Sequence, residues 1–273
     1  MQKSVMQKIF ITGASSGIGY ALAHEYAKRY VNSNCIIGLA ARRSDHLQNL
    51  ADNLRKQYNI NCSIYALDVR DSLACQHAAE HFIQHFGAPN LVIASAGVSR
   101  GTLTEFKEDI PAFQAVMDIN VMGMVHTFQP FIAAMKQNAA LGQNAQLVGV
   151  ASVAGIRGIP GSAAYSASKS AVITYCESLR AEMQHYNIVV STIAPGYIRT
   201  PMTEINQYKM PFLMDVDVFA YKFANAVDNK ARYQVIPWQM GVVAKIMRLI
   251  PARLWDYLIK NAPHKKRIDW DWL

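Results

Sequence analysis

Three side chains capable of proton transfer lie close together in the chain: Ser152, Tyr165 and Lys169. Tyr165 and Lys169 are four residues apart, so a helix would place them on one face, one turn apart. Ser152 follows an apolar run, 146–150, that predicts a buried strand. A hydroxyl, a phenol and an ammonium would then meet at the carboxyl end of a sheet, where open α/β folds bind ligands. A Tyr-x-x-x-Lys pair also occurs by chance on surface helices, so its meaning depends on the rest of the chain.

A glycine-rich turn near the N-terminus offers a place for a nucleotide. Residues 8–11 predict a first strand, T-G-A-S-S-G-I-G follows at 12–19, and apolar residues at helical spacing come next. Glycines allow the backbone to approach a pyrophosphate, and the helix N-terminus offers free N–H groups and a partial positive charge. The spacing is G-x-x-x-G-x-G rather than G-x-G-x-x-G, and a turn without a ligand is the alternative interpretation.

The next two predicted strands, 34–40 and 62–67, end in charged residues. After the first come Arg42 and Arg43, where an acidic residue would bind the ribose 2′-hydroxyl of NAD. Two guanidiniums suit a 2′-phosphate, so the sequence favours NADP over NAD; ordinary surface arginines at a helix start are the alternative. After the second comes Asp68, which would either accept a hydrogen bond from the adenine amino group or cap the next helix.

The length and composition fit one large α/β domain or two small ones. The 273 residues are 51% hydrophobic and 17% charged, and the formal net charge of +8 favours anionic ligands or surfaces. No nucleic-acid motif is visible, and the four cysteines form no C-x-x-C pair, which suggests free thiols in a reducing, cytoplasmic setting. His77, His81 and His85 share a helix face, but nothing completes a metal site, so a solvated face is predicted. No signal-peptide core or membrane-spanning apolar run is apparent.

Strands alternate with helices along the chain, and the last strand is predicted at 233–236. This alternation predicts a single Rossmann-type domain over 1–273, doubly wound, with a mostly parallel seven-stranded sheet and helices on both faces.

Over about residues 6–200, the chain resembles the short-chain dehydrogenase/reductase family. The resemblance rests on T-G-A-S-S-G-I-G at 12–19, Asp68, A-G at 96–97, N-V-M-G from Asn120, Ser152 with A-G at 154–155, Y-S-A-S-K at 165–169, and P-G-Y-I-R-T from Pro195. Each motif is modest, but their order and spacing together are specific. One departure is Ala94-Ser95 where the family has two asparagines before Ala-Gly; Ser95 is expected to replace part of their bonding.

The resemblance implies four catalytic residues. Tyr165 exchanges a proton with the substrate oxygen, Ser152 hydrogen-bonds that oxygen, Lys169 holds the nicotinamide ribose and lowers the pKa of Tyr165, and Asn120 holds a water. A cation about 4 Å from a phenol is worth roughly 4 kcal/mol at an effective dielectric of about 20, enough for such a change.

The resemblance and the strand-end residues together predict a dinucleotide site. Its expected members are Gly13, Ser15, Ser16, Gly17, Ile18, Gly19, Arg42, Arg43, Asp68, Ala96, Gly97, Tyr165, Lys169, Pro195, Gly196, Ile198 and Thr200.

Two later segments bear on the substrate. The Met- and Phe-rich stretch at about 200–230 predicts a flap suited to a lipophilic substrate, with ordinary core packing as the alternative. At about 238–273 an apolar and basic extension follows, in which Pro251 separates two short helices. Its tryptophans and cations suggest a peripheral membrane contact; an oligomer contact or a cover over the active site are the alternatives.

These observations predict an NADP-dependent oxidoreductase that interconverts an alcohol and a ketone or aldehyde, acting mainly as a reductase of a lipophilic carbonyl compound. The resemblance also implies a homodimer or homotetramer formed through the helices that hold Asn120 and Tyr165. A non-catalytic nucleotide-binding regulator is one alternative, and a sugar-nucleotide epimerase or dehydratase is the other. Sugar-nucleotide epimerases and dehydratases have a glycine turn with a different spacing and a longer C-terminal domain.

Overall fold

Seven strands form the central sheet of the computed structural model, which describes residues 6–31, 33–206, 208–261 and 267. The strands are β1 (Gln7–Thr12), β2 (Cys35–Ala41), β3 (Asn61–Ala66), β4 (Leu91–Ala94), β5 (Gln146–Val150), β6 (Val189–Pro195) and β9 (Tyr233–Ile236). A separate two-stranded ribbon consists of β7 (Ile198–Arg199) and β8 (Met214–Asp215).

The helices connect the strands. They are α1 (Gly17–Arg29), α2 (Ser44–Tyr58), α3 (Ser72–Phe86), α4 (Ile110–Met117), α5 (Gly123–Ala140), α6 (Ala163–Gln184), α7 (Pro201–Glu204), α8 (Val216–Asp228), α9 (Trp238–Leu249) and α10 (Ala252–Ile259). A π-helical turn, Asp118–Met122, joins α4 to α5.

All pairings in the central sheet are parallel, in the order β3-β2-β1-β4-β5-β6-β9. The order reverses between β1 and β4, and this reversal is the switch point at which doubly wound sheets bind ligands. The predicted Rossmann-type fold is confirmed. Apolar runs specify these strands because a parallel sheet is covered on both faces; all seven residues of β2 are buried.

Two hydrophobic cores flank the sheet. Residues of α1, α2 and α8 form one with the sheet, and residues of α3, α5 and α6 form the other. Helix α8 was missed, because its segment was assigned to the flap predicted at about 200–230. Phe219 and Phe223 of α8 are fully buried, so ordinary core packing holds for this half of the segment.

The C-terminal extension begins as predicted, with two helices separated by Pro251. Residues 262–266 and 268–273 lie outside the described part of the chain. None of the described helices has the length and apolar character needed to cross a bilayer.

The three histidines of α3 make local contacts. The ring of His81 lies 3.1 Å from the Tyr65 hydroxyl through Nδ1 and stacks on the ring of His85 at 4.0 Å between centroids. Within the described ranges, no three His, Cys, Asp or Glu side chains form a group that could hold a metal ion.

Candidate active site

A cleft of about 310 Å³ opens at the carboxyl ends of the strands, where the strand order reverses. Every predicted cofactor position lines it, together with Ser152, Tyr165 and Lys169. Asn120 is the exception among the predicted catalytic residues, since it is buried behind the lining. The structure thus brings the separate sequence motifs to one place, while their individual roles stay predictions.

The glycine turn is shaped so that backbone lines the cleft between β1 and α1. Gly13 has φ +70°, and a Cβ there would lie 2.8 Å from the Cα of Ala96. A Cβ on Gly19 would collide with the carbonyl oxygen of Gly13. Helix α1 begins at Gly17 with no acidic residue in its first turn. Its N-terminal N–H groups therefore face the cleft without a competing negative charge, which fits a pyrophosphate.

Arg42 and Arg43 line the cleft at the end of β2. The guanidinium of Arg43 donates a hydrogen bond to the hydroxyl of Ser15, at 3.1 Å between Nη2 and Oγ. This bond links the end of β2 to the glycine turn. The two arginines thus lie at the end of the cleft where the adenosine ribose of a dinucleotide would be expected.

Asp68 does not cap the helix that follows it. Asp71 does, accepting a hydrogen bond from the backbone N–H of Ala74 at 3.0 Å. The carboxylate of Asp68 instead accepts bonds from the guanidinium of Arg70, at 2.8 and 3.0 Å, and from its backbone N–H at 2.9 Å. Burial alone would raise the pKa of Asp68, but its bonds and ion pair with Arg70 bring the pKa below the usual value. Asp68 is therefore a carboxylate fixed at the cleft wall.

Ser152 and Tyr165, the predicted reactive pair, both line the cleft. Ser152 lies two residues after the end of β5. Its Oγ accepts a hydrogen bond from the backbone N–H of Ala154 at 3.1 Å. Burial raises the pKa of Tyr165, and the neighbouring Ser152 hydroxyl opposes that rise without cancelling it. The phenol is therefore protonated at neutral pH and suited to donate a proton.

Lys169 is buried beside the carboxyl end of β5. Its Nζ donates to the carbonyl oxygen of Val150 at 2.8 Å and lies 5.9 Å from the centroid of the Tyr165 ring. Burial lowers the pKa of Lys169 to about 8. Burial and Ser152 account for the direction of the Tyr165 pKa shift, and the lowering of that pKa by Lys169 stays a prediction.

Asn120 holds the wall behind the cleft. Its Oδ1 accepts from the N–H of Val98 at 2.8 Å, and its Nδ2 donates to the carbonyl of Val98 at 3.0 Å and to Oγ of Ser168 at 2.9 Å. Asn120 lies in the π-helical turn Asp118–Met122. A Cβ on Gly97 would lie 3.2 Å from Oδ1 of Asn120 and 3.5 Å from Nζ of Lys169. The amide and the ammonium therefore border the same point of the backbone.

Sequence reasoning missed several residues around the site. Ser168 is buried and donates to the carbonyl of Tyr165 at 2.8 Å, so it connects Asn120 to the helix of the reactive pair. The signal for Ser168 in the sequence is a hydroxyl between Tyr165 and Lys169. Thr200 and Thr203 form a capping box at α7. Met202, Thr203 and Ser95 also line the cleft.

The bonding expected from Ser95 comes from another residue. The hydroxyl of Thr12 lies 3.5 Å from both the carbonyl oxygen of Ile93 and the backbone N–H of Ala96. Thr12 thereby links the end of β1 to the turn after β4. The two asparagines that the family has in place of Ala94 and Ser95 would strengthen the same link.

Comparison with known families places the chain. A family model for the short chain dehydrogenase matches residues 7–210. The chain therefore belongs to the short-chain dehydrogenase/reductase family, a class of nucleotide-binding oxidoreductases that act on CH–OH and C=O groups.

Two relatives by sequence illustrate the range of similarity. An uncharacterized oxidoreductase of Myxococcus xanthus is 32% identical over 246 residues, covering 90% of this chain and 93% of the relative. The 11-beta-hydroxysteroid dehydrogenase 1A of Arabidopsis thaliana is 32% identical over 196 residues, covering 72% of this chain and 53% of the relative. The chain thus spans about half the length that the plant protein has.

Solved structures share the fold. A short-chain dehydrogenase/reductase from Burkholderia phymatum, in complex with NAD, has a TM-score of 0.77 at 22% identity and covers 97% of this chain and 99% of its own. A short-chain dehydrogenase from Sphingobium yanoikuyae, in complex with NADPH, has a TM-score of 0.72 at 21% identity and covers 90% and 97%.

Proposed function

We propose that the protein is an NADP-dependent oxidoreductase that reduces a lipophilic ketone or aldehyde to the alcohol and can run the reverse reaction. One observation carries the proposal: Tyr165 and Ser152 line the same cleft as the glycine turn and the buried Lys169. Family membership makes the reaction class a plain expectation, whereas the cofactor preference and the substrate are our own inference.

The chain's own residues perform the proton part of the reaction. A bound nicotinamide supplies the hydride in reduction and accepts it in oxidation. Tyr165, protonated at neutral pH, donates its proton to the carbonyl oxygen, and Ser152 hydrogen-bonds that oxygen as negative charge develops on it. We further propose that Lys169 holds the nicotinamide ribose and that Asn120 holds a water at the end of the proton path.

Tyr165→Phe separates an enzyme from a nucleotide-binding regulator. The substitution removes the transferred proton but keeps the ring that lines the cleft. NADPH binding, followed by fluorescence titration, should be retained, and turnover should fall by at least about a hundredfold, the lower range for a general acid. Tyr186→Phe, in an exposed tyrosine outside the cleft, is the matched control. Full activity of Tyr165→Phe would rule out the proposed mechanism.

The preference for NADP rests on Arg42 and Arg43, which line the cleft at the end of β2. A charged hydrogen bond contributes about 1.5–3 kcal/mol, so Arg42→Ala should weaken NADPH binding about ten- to a hundredfold and NADH binding much less. Arg55→Ala, an exposed arginine of α2 outside the cleft, serves as control. Equal loss for both dinucleotides would show that Arg42 does not contact the 2′-phosphate. Solved relatives hold either cofactor, so the comparison leaves this choice to experiment.

The lipophilic substrate is inferred from the segment 200–215. Met202 lines the cleft, and Phe212 of the same segment is half-exposed. Methionine adapts to varied apolar shapes, and several relatives are named hydroxysteroid dehydrogenases. We expect a screen of steroid, acyl-chain and retinoid-like ketones and aldehydes to reveal NADPH consumption. Activity confined to small polar carbonyl compounds would refute this part of the proposal.

The assembly and the compartment are further parts of the proposal. Apolar Ile110, Phe113 and Met122 are exposed on the segment that leads to Asn120, which favours a homodimer or homotetramer through these helices. Light scattering after gel filtration tests the mass.

All four cysteines are free thiols, and burial raises the pKa of Cys35 and Cys62 to about 12. Such inert thiols suit a reducing compartment such as the cytoplasm.

A further inference from the structure

Helices α9 and α10 present an apolar face to the outside, which we call the C-terminal surface. In α9 the exposed residues Trp238, Val242, Ile246 and Leu249 recur at helical spacing, and Leu249 is 83% exposed. In α10 they are Leu254, Tyr257 and Leu258. No residue of α10 is buried. A contiguous apolar face of this kind on a folded chain marks an interaction site.

The opposite side of α9 fixes this surface to the body of the protein. Met240 and Ala244 are buried. A Cβ on Gly196, a cleft residue, would lie 2.8 Å from the side chain of Met240. The guanidinium of Arg157 lies 5.0 Å from the centroid of the Trp255 ring in α10. The C-terminal surface is therefore held in a defined orientation beside the cleft.

Positive charge borders the apolar face. Four exposed cations, Lys245, Arg248, Arg253 and Lys260, accompany a single acid, Asp256, over residues 238–260. The ammonium of Lys260 lies 4.7 Å from the centroid of the Tyr257 ring. Exposed Trp and Tyr residues beside cations are typical of a helix that lies in a membrane interface, where the rings enter the headgroup region and the cations attract anionic lipid.

We infer that the C-terminal surface docks the protein on an anionic lipid bilayer. A symmetric contact with a second copy is the less favourable occupant, because an isologous interface would bring the same four cations together. Docking through this surface sets Gly196, and with it the edge of the cleft, about one helix diameter (about 10 Å) from the lipid. This orientation would give a lipophilic carbonyl compound a short path to Tyr165; that consequence alone rests on the proposed function.

Vesicle flotation of the full chain tests the docking without any need for turnover. Vesicles of phosphatidylcholine with phosphatidylserine should carry the protein, and vesicles of phosphatidylcholine alone should carry much less. The difference should disappear in 0.5 M salt, because surface charges are then screened over only a few ångströms. Flotation that is equal on both lipids, or absent on both, would overturn the inference.

Substitutions then locate the contact. Trp238→Ser with Leu249→Ser should abolish flotation, and Lys245→Glu with Arg248→Glu should weaken binding to the anionic vesicles by at least twenty-five-fold, at about fivefold for each lost cation. Leu141→Ser, in a residue that is 76% exposed outside the C-terminal surface, is the matched control and should float as the wild type does. If the control lost flotation equally, the surface would not be the docking site. If Trp238→Ser with Leu249→Ser instead converted a dimer to a monomer and left flotation intact, the occupant would be a second copy.

Discussion

We predict that Lys169 is needed for turnover but does not stabilise the folded protein. The substitution Lys169→Met tests both parts of this prediction. Burial lowers the pKa of Lys169 from 10.5 to about 8, and the difference between those values corresponds to about 3 kcal/mol of unfavourable free energy for the ammonium in the folded protein. The substitution removes this penalty. It also removes the donor to the Val150 carbonyl, and an unpaired buried carbonyl costs about 1–3 kcal/mol. The variant should therefore be as stable as the wild type, or more stable by up to about 2 kcal/mol, at neutral pH.

The pH dependence gives the sharper test. The folded-state pKa of Lys169 is lower than the unfolded value, so between about pH 8 and 10.5 the unfolded chain binds more protons and wild-type stability rises with pH. The penalty is present in full below pH 8. The stability advantage of Lys169→Met should thus be largest at pH 6–7.5 and shrink by pH 10, while titration of other groups cancels in the comparison.

Urea denaturation of both proteins at several pH values measures this difference, and turnover should be lost throughout. Lys222→Met, in an exposed lysine of α8, reports the effect of deleting a surface charge. A Lys169→Met variant that is destabilised by more than about 1 kcal/mol at pH 7, or whose difference from the wild type does not vary with pH, would refute the reasoning.

Three further predictions concern buried or docked polar groups. Asn120→Ala leaves the N–H and carbonyl of Val98 unpaired and should lower the free energy of unfolding by about 2–4 kcal/mol in urea; a loss under about 1 kcal/mol would contradict it. Arg267→Ala removes the two bonds of Arg267 to the mostly buried carboxylate of Asp109, so limited proteolysis between residues 100 and 110 should accelerate, and unchanged cleavage would show that this contact does not hold the segment. The hydroxyl of Tyr26 is buried with no hydrogen-bond partner among the described residues, so Tyr26→Phe should be neutral or stabilising by thermal melting, whereas a loss above about 2 kcal/mol would reveal a partner.

The sheet could be predicted from the sequence because its strands are short apolar runs followed by glycine or polar residues. The run at 146–150 and the strand β5 coincide, and the run at 8–11 falls one residue short of β1 at each end. In a parallel sheet covered on both faces, each strand is buried on both sides and is therefore recognisable as an apolar run in the sequence. The positions of many cleft residues followed, since the glycine turn, Arg42, Asp68, Ser152 and Gly196 stand at or just after strand ends.

What the sequence could not reveal were the partners of polar atoms. Asn120 bonds to Val98 and to Ser168, which come from two other elements, and no local pattern encodes such a contact. The bond from the Lys169 ammonium to the Val150 carbonyl could not be predicted for the same reason, because the two residues come from different elements. Helix α8 escaped prediction for a different reason. Phe219 and Phe223 stand at helical spacing, but the Met- and Phe-rich composition around them favoured a flap over a helix.

The ribbon of β7 and β8 gives the segment 200–213 a property of its own. Its two ends are paired through Ile198–Arg199 and Met214–Asp215, and Nε of Arg199 bonds Oδ1 of Asp215 at 2.9 Å. The entropy of closing such a segment grows only logarithmically with its length, by about 0.6 kcal/mol for each doubling. Insertions and deletions between these ends should therefore be nearly neutral for the sheet. This part of the cleft lining can therefore change in length and composition while Ser152, Tyr165 and Lys169 stay in place after β5 and on α6.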